Sequence, residues 1–183
     1  MFNNFIKKID YKRLIQDKHI NQMIENNDAL LDQSELTGQQ MIDTHLRDKY
    51  NTSKIFFSIQ DFVSGATYVS GQSVWFGSGD TETIYLVTGA TSSGNPTGGT
   101  GWTKQDNRNA LIVTCLLDLS LYEIHSRISP NNIPTIREIR KSDCMEWLKA
   151  ISKGKISIDL PLKDNPFFKP FATGSTRQCT WEY

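Results

Sequence analysis

The stretch RNALIVTCLLDLSLYEIHSR, residues 108–127, decides the fold class. Apolar side chains would occupy nearly every face of a helix built from it, from Ala110 to Ile124. A helix that is apolar on all sides is covered by partners on all sides, so this segment is predicted to be the central helix of a core. The fold class is therefore expected to be mainly α.

Two helices are predicted upstream of this segment. Residues 11–25 have helix-compatible apolar spacing and end at the short polar side chains of residues 26–28, which favour a turn. Ser34 is predicted to be the N-cap of a second helix over residues 35–50.

A fourth helix is predicted downstream. It has Pro134 in its first turn and ends at Lys153, before Gly154. Its predicted apolar stripe consists of Ile136, Ile139, Cys144, Trp147, Leu148 and Ile151. The sequence thus predicts a four-helix core, with N-terminal helices in residues 1–56 and the central and C-terminal helices in residues 106–156.

The composition changes between the two halves of this core. Nine of the twelve glycines lie between Gly65 and Gly101, and β-branched and aromatic residues cluster in short runs there. We expect strands at 68–69, 73–76 and 83–87, with a hairpin connection at 77–80. Residues 57–105 are therefore predicted to be a small β-rich subdomain inserted into the helical core.

The C-terminal segment, residues 157–183, has a different character again. Prolines at three positions keep it extended, and its aromatic side chains need a surface to bury against. We predict an extended docking tail, with an interface formed by Phe167, Phe168, Phe171, Trp181 and Tyr183.

Charge and cysteine content restrict the functional classes. Twenty basic and twenty acidic residues cancel, which gives no electrostatic footprint for a dedicated nucleic-acid binder. The three cysteines are widely spaced without a CxxC pair, as expected for buried thiols in a chain made in a reducing cytoplasm. The longest apolar run is too short to cross a bilayer and the N-terminus has no signal-peptide core, so neither a membrane partner nor secretion is expected.

No catalytic motif, metal-ligand spacing or cofactor fingerprint is present, and the protein is not expected to be an enzyme. One cluster has two interpretations. Asp118, Tyr122 and His125 share a helix face, so they form either an acid–base relay or a buried carboxylate held by Arg108 or Arg137. The structural interpretation is favoured because no nucleophile accompanies the cluster. The residues predicted to be structural parts of the core are Asp118, Tyr122, His125 and Trp147.

The aromatic residues of the insertion also have two interpretations. Tyr68, Trp75, Tyr85 and Trp102 would either present a platform for a sugar or supply the core that so small a sheet needs. The core interpretation is favoured. The insertion surface that the alternative requires consists of Trp75, Tyr85 and Trp102.

The central helix carries a D-x3-Y-x2-H-x-R pattern at residues 118–127, and a W-L-x5-G helix end follows at 147–154. Together these motifs resemble the pattern of a known family, the Mu-like phage neck proteins. Further matching stretches are Asn132-Ile133-Pro134, Asp28-Ala29-Leu30-Leu31-Asp32, Tyr50-Asn51-Thr52 and Ile55-Phe56, with Arg137 and Arg140. The segment Thr173-Gly174-Ser175 is similar to the ending of relatives from phages of Bacteroidetes-type hosts. Residues 57–105 lie outside the family pattern, and Lys141 stands where an aromatic residue is usual.

The resemblance implies a structural virion protein, a head-to-tail adaptor of the phage neck. About twelve copies would form a ring beneath the portal and connect the capsid to the tail. The implied partners are other copies of the chain, the portal protein, the next neck or tail protein, and double-stranded DNA that passes without sequence recognition. The implied location is the virion neck, after synthesis in the host cytoplasm, and no cofactor is implied.

Overall fold

The structure, a computed structural model, describes residues 4–25, 27–89, 91–92 and 94–163. Within these ranges the fold is mixed and rich in helix, with a small four-stranded sheet. The helices are α1 Lys8–Tyr11, α2 Asp17–Met23, α3 Asp28–Leu46, α4 Thr52–Ile55, α5 Ala110–Ile128 and α6 Thr135–Ser152. The strands are β1 Gln60–Asp61, β2 Tyr68–Val69, β3 Ser73–Phe76, β4 Thr83–Val87, β5 Thr91–Ser92 and β6 Trp102–Lys104.

The central helix α5 lies within two residues of its predicted bounds. The side chain of Asn109 caps its first turn by accepting hydrogen bonds from the backbone N–H groups of Leu111 and Ile112 at 3.1 and 3.2 Å. Ten of its residues are buried, and it packs against both α3 and α6. Leu111 is an exception, because its side chain in the first turn is 58% exposed.

The close crossing of α3 and α5 depends on Gly38. A Cβ atom at this position would lie 3.1 Å from the Cδ1 atom of Leu116 and 3.3 Å from the hydroxyl oxygen of Ser120. Glycine in a helix interior costs about 1 kcal/mol relative to alanine. Here its lack of a side chain lets the two helix backbones approach closely.

The prediction of one continuous helix over residues 11–25 is wrong. The chain forms α1, a turn, and α2 instead. Tyr11 and Ile20 are nine positions apart, so one helix of about 100° per residue would place them on opposite faces. Both side chains are fully buried in the same core, and the chain must therefore turn between them.

The predicted start of the second helix is also wrong. α3 begins at Asp28 because the side chain of Asn27 accepts a hydrogen bond from the N–H group of Ala29 at 3.2 Å. Ser34, the predicted N-cap, is buried inside the helix and donates its hydroxyl proton to the carbonyl oxygen of Leu30. α2 ends at Met23 and α3 begins at Asp28, so the polar residues both separate two helices and start the second one.

α6 has nearly its predicted bounds but a different buried face. Leu148 and Ile151 are buried, whereas Ile136 and Ile139 are 53% and 51% exposed. The inward position of its first turns is occupied by Arg137, which faces the buried carboxylate of Asp118 on α5. The two isoleucines of the predicted apolar stripe flank this arginine and therefore point outward.

All six strands lie between residues 60 and 104. The larger sheet has the order β1-β3-β4-β6, in which β1 pairs parallel to β3 and the other pairs are antiparallel. β2 and β5 form a separate antiparallel pair. The expected hairpin joins β3 to β4, and Gly77 permits its turn at φ 111°, where a Cβ atom would lie 2.7 Å from the carbonyl oxygen of Thr81.

Residues 157–163, the start of the predicted tail, pack on the chain itself. Leu160 is buried in the main core. The N–H group of Asn51 donates to the carbonyl oxygen of Pro161 at 2.8 Å, and that of Lys163 to the carbonyl oxygen of Lys49 at 3.0 Å. The five aromatic residues of the predicted interface, Phe167, Phe168, Phe171, Trp181 and Tyr183, lie outside the described residues.

Candidate functional site

A buried arginine ties three parts of the chain together at the N-terminal end of α5. All five N–H donors of Arg108 are matched: two to Asp10, two to Asp106 and one to the backbone carbonyl oxygen of Phe5, at 2.7–2.9 Å. Burial opposes the charge of the guanidinium, but its bonds to the two aspartates outweigh burial and raise the pKa of Arg108. Arg108 is thus not the partner of Asp118.

Trp75 occupies the contact between the sheet and this arginine. Its indole N–H donates to the carbonyl oxygen of Asn4 at 2.7 Å, and the Arg108 guanidinium lies 5.0 Å from its ring centroid. The side chain is only 3% exposed. The assignment of Trp75 to the surface of the insertion is therefore wrong, because its ring is covered by the N-terminal segment.

Two lysines of the N-terminal segment also bind the sheet. Lys7 forms ion pairs with Asp61 and with Glu82, the latter at 2.5 Å, and Lys12 pairs with Asp80. Partial burial disfavours the ammonium of Lys7, but the two carboxylates outweigh this effect and raise its pKa. The inserted sheet is consequently held to the helical part through both apolar and charged contacts.

Strand register separates the aromatic residues that a sugar platform would need. Trp75 is paired with Ile84 across β3 and β4, whereas Trp102 is paired with Val87 across β6 and β4. Residues 84 and 87 are an odd number apart, so Trp75 and Trp102 lie on opposite faces of the sheet. Tyr85 shares the face of Trp102, and both are partly exposed.

The face that carries Trp102 contains a second small core. Tyr68 is buried there with Val74 and Val87, and its ring centroid lies 5.4 Å from that of Trp102. The ring of Phe62 packs against both aromatic residues. These contacts support the interpretation that the aromatic residues of the insertion supply its core.

The Asp118 cluster forms ion pairs between helices rather than a relay. The carboxylate of Asp118 is buried and accepts a hydrogen bond from Arg140 at 3.2 Å, with Arg137 at 3.7 Å. His125 instead contacts the carbonyl oxygen of Leu121 in its own helix, at 2.8 Å from Nδ1. The acid–base interpretation therefore lacks the contacts it requires.

Tyr122 and Trp147, the other two residues predicted to be structural parts of the core, also make packing contacts. The ammonium of Lys141 lies 3.7 Å from the ring centroid of Tyr122. This residue, the departure from the family pattern, thus makes a cation–π contact where an aromatic side chain was expected. Trp147 is partly buried and packs against the main core.

An open cleft of about 770 Å³ lies between residues 4–8 and the first half of α3. Glu35 lines it and accepts a hydrogen bond from the buried hydroxyl of Tyr11 at 3.0 Å. Burial raises the pKa of Glu35 to about 8. The apolar floor of the cleft includes Leu31 and Leu116, with Leu36 half exposed at its edge.

Neither a metal centre nor a membrane span is found in the part of the chain that the structure describes. No group of three or more His, Cys, Asp and Glu side chains is arranged to hold a metal ion in these ranges. No described helix is long and apolar enough to cross a membrane.

Comparison with models of known protein families, with curated proteins and with solved structures found no match to this chain. The resemblance to phage neck proteins therefore stays a prediction.

Two residues have roles that were not predicted from the sequence, Arg108 and Glu35. The sequence contains a signal for the role of Arg108, because the opposite charges Asp106 and Arg108 stand just before the N-cap of an apolar helix. The sequence contains no signal for Glu35. Its burial depends on the position of Tyr11, which is set by the turn between α1 and α2.

Proposed function

We propose that this chain is a structural subunit of a tailed-phage particle, an adaptor whose copies form a ring of about twelve beneath the portal. The ring connects the capsid to the tail and extends the channel for double-stranded DNA in the virion neck. The sequence motifs of residues 108–127 and 132–154 support this proposal through their resemblance to neck proteins.

The observation that carries the proposal is the exposed apolar surface of α6. Ile136 and Ile139 lie one helical turn apart, and each is more than half exposed although another face of the helix packs against the core. Apolar side chains grouped in this way are characteristic of contact surfaces. We assign this pair to the contact with a neighbouring copy in the ring.

A ring with head-to-tail contacts uses two different surfaces of each subunit. The cleft beside α3 supplies a second surface, and none of the residues that line it belongs to α6. The aromatic residues Phe167, Phe168, Phe171, Trp181 and Tyr183 are proposed to dock on the portal. The zero net charge suits a channel wall that lets DNA slide without binding it.

The alternative of a carbohydrate-binding insertion is not proposed further. It needed Trp75, Tyr85 and Trp102 on one surface, and Trp75 is buried on the opposite face from the other two. Neither face of the sheet is assigned to a contact in the proposed ring.

The test is assembly with the portal protein of the same particle. The double variant Ile136→Asp/Ile139→Asp should keep its melting temperature but no longer co-elute with the portal as a ring. Val63→Asp/Val69→Asp is the matched control, because those side chains are also at least half exposed but belong to the insertion. Normal ring formation by the α6 variant would contradict the assigned surface.

A further inference from the structure

We propose that Cys115 and Cys144 are a redox-active dithiol, which closes to a disulfide between α5 and α6 on reaction with a low-molecular-weight disulfide such as oxidised glutathione. This inference does not depend on the proposed adaptor function. The sequence alone suggested only isolated buried thiols.

The pairing of α5 with α6 places the two cysteines opposite each other. The helices are joined by a connection of six residues, 129–134, and pack as an antiparallel hairpin. Asp118 on α5 contacts Arg140 on α6 at 3.2 Å. Cys115 lies three residues before Asp118 on α5, and Cys144 lies four residues after Arg140 on α6. Each cysteine is thus one helical turn farther from the connection than the residues of this ion pair, and on the same helix face.

The side-chain contacts agree with this placement. Both cysteines belong to the same apolar cluster, and each thiol is the largest influence on the pKa of the other. Cys115 is buried, whereas Cys144 is partly exposed. A small oxidant therefore reaches Cys144 first, and the less accessible Cys115 reacts second.

The ionisation of the pair supports the same order of events. The neighbouring Cys115 thiol lowers the pKa of Cys144, while the contact with Cys144 and burial raise the pKa of Cys115. A partly exposed thiol with a lowered pKa beside a second thiol is the arrangement found in redox-responsive cysteines. Because Cys144 is the more exposed of the two thiols, it is the attacking group, and the buried Cys115 is the resolving group.

The reaction is a two-step thiol–disulfide exchange. The Cys144 thiolate attacks one sulfur of oxidised glutathione, a mixed disulfide forms, and one glutathione thiolate leaves and takes up a proton. Cys115 then loses its proton and attacks the Cys144 sulfur, which releases the second glutathione. The protein loses two protons and two electrons, and one molecule of oxidised glutathione is reduced to two thiols.

The experiment uses the full chain with Cys179→Ser, so that only the two thiols of interest remain. After incubation with oxidised glutathione and acid quenching, we expect intact mass and peptide mapping to show one intrachain link between Cys115 and Cys144. Dithiothreitol should restore both thiols. The wild-type chain tests the same link without any substitution, because peptide mapping separates Cys179 from the pair.

Cys144→Ser/Cys179→Ser is the matched control, and its buried Cys115 should stay unmodified. A stable glutathione adduct on Cys144 with Cys115 still free would overturn the proposal. So would two unmodified thiols, or links formed only between chains, in the Cys179→Ser protein.

Discussion

The guanidinium of Arg108 lies 5.0 Å from the ring centroid of Trp75, and this contact joins the central helix to the inserted sheet. The same guanidinium binds Asp10 with two hydrogen bonds of 2.8 Å. Three segments that are far apart in the chain therefore meet at one buried cation. The insertion is anchored at this point, so that its position on the helical part of the chain is fixed by the N-terminal segment as well as by its own ends.

Replacement of Arg108 by methionine should strongly destabilise the protein. The substitution keeps an apolar contact with Trp75 but removes both guanidinium hydrogen bonds from the buried carboxylate of Asp10, which is left with the N–H group of Lys7 at 3.0 Å and the more distant Arg13. Removal of one member of a buried ion pair costs about 3–5 kcal/mol. Urea unfolding measures this loss, with Arg47→Met as the control. Arg47 forms an exposed pair with Asp43 on α3, and its loss should cost only about 0.5 kcal/mol. Equal costs for the two variants would contradict the assigned role of Arg108.

Trp75→Ala should reduce the free energy of unfolding by about 3–5 kcal/mol, because it removes a large buried side chain. Trp75→Phe should cost less, about 1–2 kcal/mol, since it loses mainly the hydrogen bond to Asn4. Thermal or urea unfolding of both variants measures these losses of stability and so tests the role of Trp75 in holding the sheet to the helical part. A Trp75→Ala protein as stable as the wild type would show that this ring is not buried.

The stability of the protein should fall as the pH rises from about 5 to 8. The pKa of Glu35 is raised from 4.5 to about 8 in the folded chain. The folded state therefore binds more protons than the unfolded state between these values, and its advantage is lost as the pH passes through the folded pKa. The expected loss is on the order of 2–4 kcal/mol.

Glu35→Gln tests this assignment because it mimics the protonated carboxyl and keeps an acceptor for Tyr11. Its unfolding free energy should vary much less over the same pH range. Glu138→Gln, at an exposed position in the first turn of α6, should behave like the wild type. If Glu35→Gln retains the full pH dependence, another group is responsible for it.

Two truncations should separate the tail from the core. Removal of residues 164–183 takes away the five aromatic residues proposed to dock on the portal and should prevent attachment to it. Removal from residue 157 onward also deletes buried Leu160 and the backbone hydrogen bonds to residues 49–51, and should cost about 2–4 kcal/mol more. Thermal unfolding and co-elution with the portal measure the two effects. Normal portal binding by the shorter deletion would exclude the docking role of the tail.

The sequence predicted those elements whose signals are local. The all-round apolar pattern of residues 110–124 and the strands 68–69, 73–76 and 83–87 needed no knowledge of their partners. α1 and α2 were missed because only the shared burial of Tyr11 and Ile20 requires a turn between them. A helix-compatible pattern cannot reveal which of its faces the rest of the chain will cover.

The candidate surfaces were also hard to predict from the sequence, because a local pattern does not show which faces other parts of the chain cover. The exposure of Ile136 and Ile139 follows from the orientation of α6, in which Arg137 faces Asp118. The burial of Trp75 depends on strand register and on the N-terminal segment across the sheet. Such contacts between distant residues are visible only once the chain has been folded.

The mass of the assembled complex tests the central claim most directly. The purified chain should be measured by native mass spectrometry alone and after mixing with the portal protein of the same particle. The adaptor proposal predicts a portal-dependent shift to one stoichiometric complex, with about twelve copies of this chain on each portal ring. A chain whose mass does not change in the presence of the portal would contradict it.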